Sequence, residues 1–172
     1  VYTNSLMRDA QVNSEQMISQ TELEINNYFE SMKSKLIFVK GLLGNVGNTS
    51  ELESRISALT AIQDDIYAVT VYDENGGIIS CTGDGAKIKE HIYKDLSFDK
   101  KLFDESAEVA ISDPHVQTLF EGEYPWVITA AVKTRGSLIN EAVYVAIDFK
   151  FSEIARYIDN VGVGRQGHCF II

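Results

Sequence analysis

Tyr124-Pro125-Trp126-Val127-Ile128-Thr129-Ala130-Ala131-Val132-Lys133 and Glu141-Ala142-Val143-Tyr144-Val145-Ala146-Ile147-Asp148-Phe149 decide the fold. Both runs are dense in β-branched and aromatic residues. They are joined by Thr134-Arg135-Gly136-Ser137 and its neighbours, so they read as paired strands. Successive side chains on a strand alternate between faces, which puts Val143, Val145, Ile147 and Phe149 on one wholly apolar face. Tyr144, Ala146 and Asp148 share the other face and mix aromatic, small and acidic groups. The first face belongs to a core, and the second reads as the floor of a pocket.

Working outward, Ile66 to Tyr72 and Ile78 to Cys81 flank the turn Asp73-Glu74-Asn75-Gly76-Gly77 and form a second hairpin. From Leu6 to Leu43 there is no Pro and no Gly before Gly41. Ile18, Ile25, Met32 and Val39 recur every seventh residue, with Phe29, Leu36 and Leu43 four after their predecessors, so this stretch is one long helix with an apolar stripe beginning at Ile18. Its polar first part projects as a stalk. Gly41, Gly44 and Gly47 close it, and Asn48-Thr49-Ser50-Glu51 caps a second helix from about Glu51 to Gln63, with Leu52, Ile56, Leu59 and Ile62 on one face. A polar connector from Thr82 to about Asp95 leads to a short helical piece, Phe98 to Glu105. A last amphipathic helix, Ser152 to Asn160, follows the long strands. The fold class is α+β: a PAS-like antiparallel sheet flanked by a long N-terminal helix and further helices packed on one face.

The 172 residues carry 45% hydrophobic residues and a formal net charge of −10. That composition excludes a disordered chain. The acidic balance, without clustered cations, excludes nucleic acid and disfavours an anionic membrane surface. No apolar run reaches the roughly 18–20 residues of a membrane span. Cys81 and Cys169 could form one bridge or stay free, and they are too few for a structural zinc site. His91, His115 and His168 lack metal-ligand spacing, and no Ser lies in a nucleophile elbow, so neither a metal nor a catalytic group is expected. Gly162 to Gly167 spells G-x-G-x-x-G, but a helix precedes it and a strand follows, the reverse of the dinucleotide arrangement. No cofactor is expected.

The same element order, with Ile111-Ser112-Asp113-Pro114-His115 before Trp126-Val127-Ile128-Thr129-Ala130-Ala131-Val132 and then Val145-Ala146-Ile147-Asp148-Phe149, resembles the Cache family of extracytoplasmic PAS-like sensor domains. The resemblance spans nearly the whole chain. It implies the ligand-sensing domain of a bacterial membrane receptor, foremost a sensor histidine kinase in a two-component system. The alternatives are a chemoreceptor, a cyclic-dinucleotide enzyme, or a structural or interaction module without a ligand. It further implies a cell-membrane location with this part outside the cytoplasm, transmembrane helices flanking this chain, and a homodimer formed through the N-terminal helix. Three parts are expected: a stalk helix over 1–46, a membrane-distal PAS-like unit over 47–160, and over 161–172 a linker with the first strand of a truncated second unit, His168 to Ile172. The chain then reads as a piece of a longer receptor.

Asp148 leads the candidate ligand residues, because an acid on the mixed face of a central strand needs a partner. A ligand's amino group could supply it, as the resemblance implies, and so could an internal Lys or backbone amide. The resemblance also implies an Arg followed by Trp-Tyr from the connector. Here Lys100 stands for the Arg, Leu102 for the Trp and Phe103 for the Tyr, while His115 stands where a Tyr is common. Lys is a point charge and does not grip a carboxylate bidentately. Tyr124 and Trp126 could stack on a ligand or cover the core, Tyr93 and His91 could line the same cavity, and Tyr144 shares the floor with Asp148.

Overall fold

The computed structural model describes residues 2–83, 88–89, 109–138 and 142–160. In chain order these form α1 (Tyr2–Leu43), α2 (Thr49–Thr60), β1 (Ile66–Asp73), β2 (Ile78–Gly83), β3 (Ala110–Ile111), β4 (His115–Val116), β5 (Trp126–Leu138), β6 (Ala142–Lys150) and α3 (Phe151–Asn160). The strands make one antiparallel sheet in the order β2-β1-β6-β5-β3, with β4 also on β5. The α+β, PAS-like class read from the sequence is the observed one. The short helix expected at Phe98–Glu105, the Gly162–Gly167 linker and the strand His168–Ile172 lie outside the described residues.

One face of the sheet carries the core. Val69, Val71, Ile128, Ala130, Val132, Val145, Ile147 and Phe149 pack there against Met32, Leu36, Val39 and Leu43 of α1, Leu52, Ile56 and Leu59 of α2, and Ile154 and Ile158 of α3. The apolar face predicted for β6 is thus the helix-covered one. Asn48 caps α2 by accepting the Glu51 amide at 2.9 Å. That helix stops at Thr60, so Ile62 falls outside its periodicity and is exposed instead of joining the buried face.

α1 has 42 residues, a length of about 63 Å, and is far longer than the face it covers. Residues 7–20 are all exposed. Ile18, expected to start the packed stripe, is 60% exposed. Packing begins one turn later, at Thr21 and Ile25, because no sheet or helix of the described residues faces the helix before that point. The stalk is therefore slightly longer than its apolar pattern indicates.

β5 runs to Leu138, through the stretch read as a connection. Pairing with β6 is interrupted after Lys133 and resumes at Leu138 opposite Ala142. The edge strand, which the sequence did not reveal, is two short pieces on one track: Ile111 pairs Ala130 and His115 pairs Val127. Ser112-Asp113-Pro114 bulges out between them, a place where a residue without an amide hydrogen is tolerated.

Candidate functional site

Alternation puts Ala68, Thr70 and Tyr72 of β1, Val127, Thr129 and Ala131 of β5, and Tyr144, Ala146 and Asp148 of β6 on the face away from the helices. The floor is small in the middle and aromatic at one end, where Tyr72 and Tyr144 cluster with Ala131 and Ala146. At the other end Leu119 and Phe120 fold over Ala68 and Val127, with Phe120 edge-on to Tyr67 at 5.2 Å. Small residues thus lie between two bulky clusters, and Asp148 is on the floor among them.

Asp148 is 2% exposed. The Thr129 hydroxyl donates to Oδ1 at 2.5 Å, and the Gln117 amide Nε2 donates to Oδ2. Gln117 is held in turn, its Oε1 accepting the amides of Thr118 (2.8 Å) and Leu119 (3.0 Å). Burial pushes the Asp148 carboxyl above its ordinary range, an effect that the Thr129 and Gln117 hydrogen bonds and the nearby His115 only partly offset. Among the described residues no cation forms an ion pair with it. The carboxylate is held by two neutral hydrogen-bond donors, and no Lys or Arg among the described residues pairs with it.

His115 belongs to this centre. Its Nε2 lies 3.2 Å from the Thr129 hydroxyl, and its Nδ1 lies 3.0 Å from the Asp113 carbonyl and 3.3 Å from Ser112 Oγ. Ser112 Oγ accepts the Thr129 amide at 2.9 Å, and the Ser112 amide donates to the Thr129 carbonyl at 2.8 Å. The bulge in the edge strand is therefore what aims the imidazole at the floor. Cys81, on β2 at the opposite edge of the sheet, is a free thiol 3.1 Å from Thr70 Oγ1, and burial pushes it up to about 12. A thiol so placed is a small wall group, since the reactive form is the thiolate.

The expected residues divide as follows. Asp148, His115 and Tyr144 are brought to one face. Trp126 is not: it has the parity of Ile128 on the helix side, and at the sheet's end it is 57% exposed. Tyr124 is equally exposed and lies over Lys89, whose Nζ is 4.8 Å from the ring centre. An aromatic pair around Pro125 suggested stacking, but the register turns Trp126 away and leaves Tyr124 at the rim. Lys100, Phe103 and Tyr93, with His91, lie outside the described residues. Gln117 and Thr129 were not singled out. Thr129 was legible as the cross-strand partner of an acid, whereas a single Gln in an irregular segment carries no periodic signal. No group of three or more His, Cys, Asp or Glu among the described residues could hold a metal ion, and no helix among them is long and apolar enough to cross a membrane.

No family model matches the chain, and no curated protein is similar to it in sequence. Solved structures are similar in fold. The ligand-binding domain of the Campylobacter jejuni chemoreceptor Tlp3, solved with L-norvaline, has a TM-score of 0.70 at 8% identity, over 90% of this chain and 63% of that one. The domain of the Pseudomonas aeruginosa chemoreceptor PctC, solved with GABA, has 0.58 at 10% identity over 81% and 59%. The extracellular domain of vpHK1S-Z8, a protein assigned as a histidine kinase, has 0.63 at 9% identity over 88% and 63%. The chain thus spans less than two thirds of the length of each. What they share with it is the fold: a long N-terminal helix on a PAS-like antiparallel sheet, as the Cache resemblance implies.

Proposed function

We propose that this chain is the extracytoplasmic ligand-sensing domain of a membrane receptor, and that it binds a small organic cation, such as an amine or amino acid, on the face of its sheet opposite α1, α2 and α3. The observation that carries this reading is the fully buried Asp148 carboxylate, fixed by Thr129 and Gln117 and without a counter-charge among the described residues. A ligand ammonium group would supply that charge and raise the value of both existing hydrogen bonds. His115 and Tyr144 border the same floor. Lys100, Phe103, Tyr93 and the rim residue Tyr124 complete the proposed site, with Lys100 as the pole opposite Asp148.

Two kinds of neighbour support the wider reading. Chemoreceptor domains of this fold were solved with norvaline and GABA, both of which carry an amino group, and an extracellular domain of a protein assigned as a histidine kinase shares the fold. On this reading residues 1–46 form a stalk leading from a membrane helix and pairing with a second copy. Residues 47–160 form the membrane-distal unit, and 161–172 lead into a second one. The output is a histidine kinase or a chemoreceptor signalling module. A thermal-shift panel of amino acids, amines and organic acids tests the ligand class. Stabilisation by at least one amino compound and by none of the amine-free acids is expected; stabilisation by acids alone overturns the assignment.

A further inference from the structure

On the opposite side of the sheet from Asp148 lies an open cavity of about 110 Å³. Its walls are Ile25 and Phe29 of α1, Ile128 of β5, and Ile154 and Ile158 of α3. Tyr28 closes one side, and the bulge Ser112-Asp113-Pro114 forms the mouth. Protein interiors are packed nearly as densely as organic crystals, and voids wider than a water molecule are few. This one is roomy and almost wholly apolar.

An ordered water would be poorly held there, because it needs two to four polar partners. Two of the polar groups at the mouth are already engaged, and the Asp113 side chain there is exposed to solvent. Ser112 Oγ serves the Thr129 amide and lies 2.9 Å from the Asp113 carbonyl, and the Tyr28 hydroxyl donates to Asp65 at 3.3 Å. By contrast, a cavity of roughly 150 Å³ lined by Leu, Ile and Phe stays dry and takes up benzene or xenon. The volume and lining here match an occupant of at most about six carbon atoms.

We propose that this cavity is a second ligand site, which takes a small uncharged apolar molecule of about benzene size. It is distinct from the pocket proposed around Asp148, being on the other face and free of any charged wall except Asp113 at its mouth. Its position gives it leverage: α1, which carries the stalk, and α3, which ends the unit, both supply walls. Tyr157 of α3 holds α1 directly, donating to Glu24 at 2.8 Å and packing its ring 5.4 Å from that of Tyr28. Ser112, on the cavity mouth, is also the residue that sets His115 and Thr129 beside Asp148.

The test uses the whole chain with its isoleucine methyl groups labelled for NMR and benzene as the probe, with xenon as a second. Four isoleucines line the cavity, so saturable shifts confined to the methyls of Ile25, Ile128, Ile154 and Ile158 are expected, with a dissociation constant on the order of a millimolar for so small a ligand. Ile25→Phe, which fills the space from a half-exposed position, should weaken benzene binding at least tenfold. Non-saturable or scattered shifts in the wild-type chain would overturn the proposal by themselves, without the variant. Undiminished binding in a folded Ile25→Phe would also overturn it.

Discussion

Replacing Asp148 by Asn should make the ligand-free domain more stable at neutral pH. An ionised carboxylate taken fully out of water costs several kcal/mol even after relaxation, while each hydrogen bond to a charged group returns about 1.5–3 kcal/mol. Asp148 has two such bonds and no counter-charge among the described residues, and its raised carboxyl shows that burial outweighs them. Asn keeps the shape. Its carbonyl can accept from Gln117, and its amide can donate to Thr129, whose own proton then turns to His115 Nε2, 3.2 Å away. Removing the buried charge should therefore stabilise the fold by about 1–2 kcal/mol, a rise of roughly 2–8 °C in Tm for a chain of this size. The pH dependence follows from linkage. The folded-state value lies above the unfolded one, so the wild type is most stable below the ordinary carboxylate range and loses that stability as pH rises toward the raised value. The Asn variant has no such window, so the two Tm values should converge in acid and separate as pH rises to neutrality. Calorimetric melts across that range measure it. A variant less stable than wild type at neutral pH would refute the reasoning and show that an internal cation holds the carboxylate.

Other substitutions probe the frame around the site. Ser80 is 4% exposed and its hydroxyl has no hydrogen-bond partner among the described residues, so Ser80→Ala should stabilise by about 1 kcal/mol, seen as a shifted urea midpoint with an unchanged slope. Leu36 is 0% exposed, and Leu36→Ala should cost about 2–5 kcal/mol, whereas Ile18→Ala on the stalk should stay within about 0.5 kcal/mol of wild type. Equal losses at the two positions in the same melts would mean that the stalk packs against the domain. A Cβ at Gly83 would meet the Phe120 ring at 2.8 Å. Gly83→Ala should therefore displace Phe120 and cost about 1–3 kcal/mol, with the change visible in the aromatic near-ultraviolet circular dichroism.

What the sequence revealed depended on regular repeats. Strict alternation in Val143 to Phe149 assigned the helix face of β6 and left Asp148 on the other, and the structure has both. The seven-residue spacing found α1 but continued its stripe to Ile18, because periodicity records a helical face and not the length of the surface it meets. The same limit applied to Ile62, which kept the spacing of α2 beyond the point where the helix stops. Around the candidate site the signal faded for a different reason. Gln117 lies in an irregular segment after a two-residue strand, and its role depends on a tertiary contact with a residue 31 positions away. Trp126 shows the converse: aromatic character suggested a ligand wall, whereas a single step of register sets its face, which it shares with Ile128. The edge strand escaped notice because Ser112-Asp113-Pro114 breaks it, although that break is what points His115 toward Thr129.

The central claim is that Asp148 meets a ligand's cationic group on the sheet face opposite α1, α2 and α3. Calorimetric titration of an amino compound that stabilises the wild-type chain, repeated on Asp148→Ala, tests it most directly. The account predicts a loss of at least about a hundredfold in affinity, since the ligand's charge would be buried unpaired, together with a ligand-free variant as stable as wild type or more so. Unchanged affinity in a folded Asp148→Ala would contradict it.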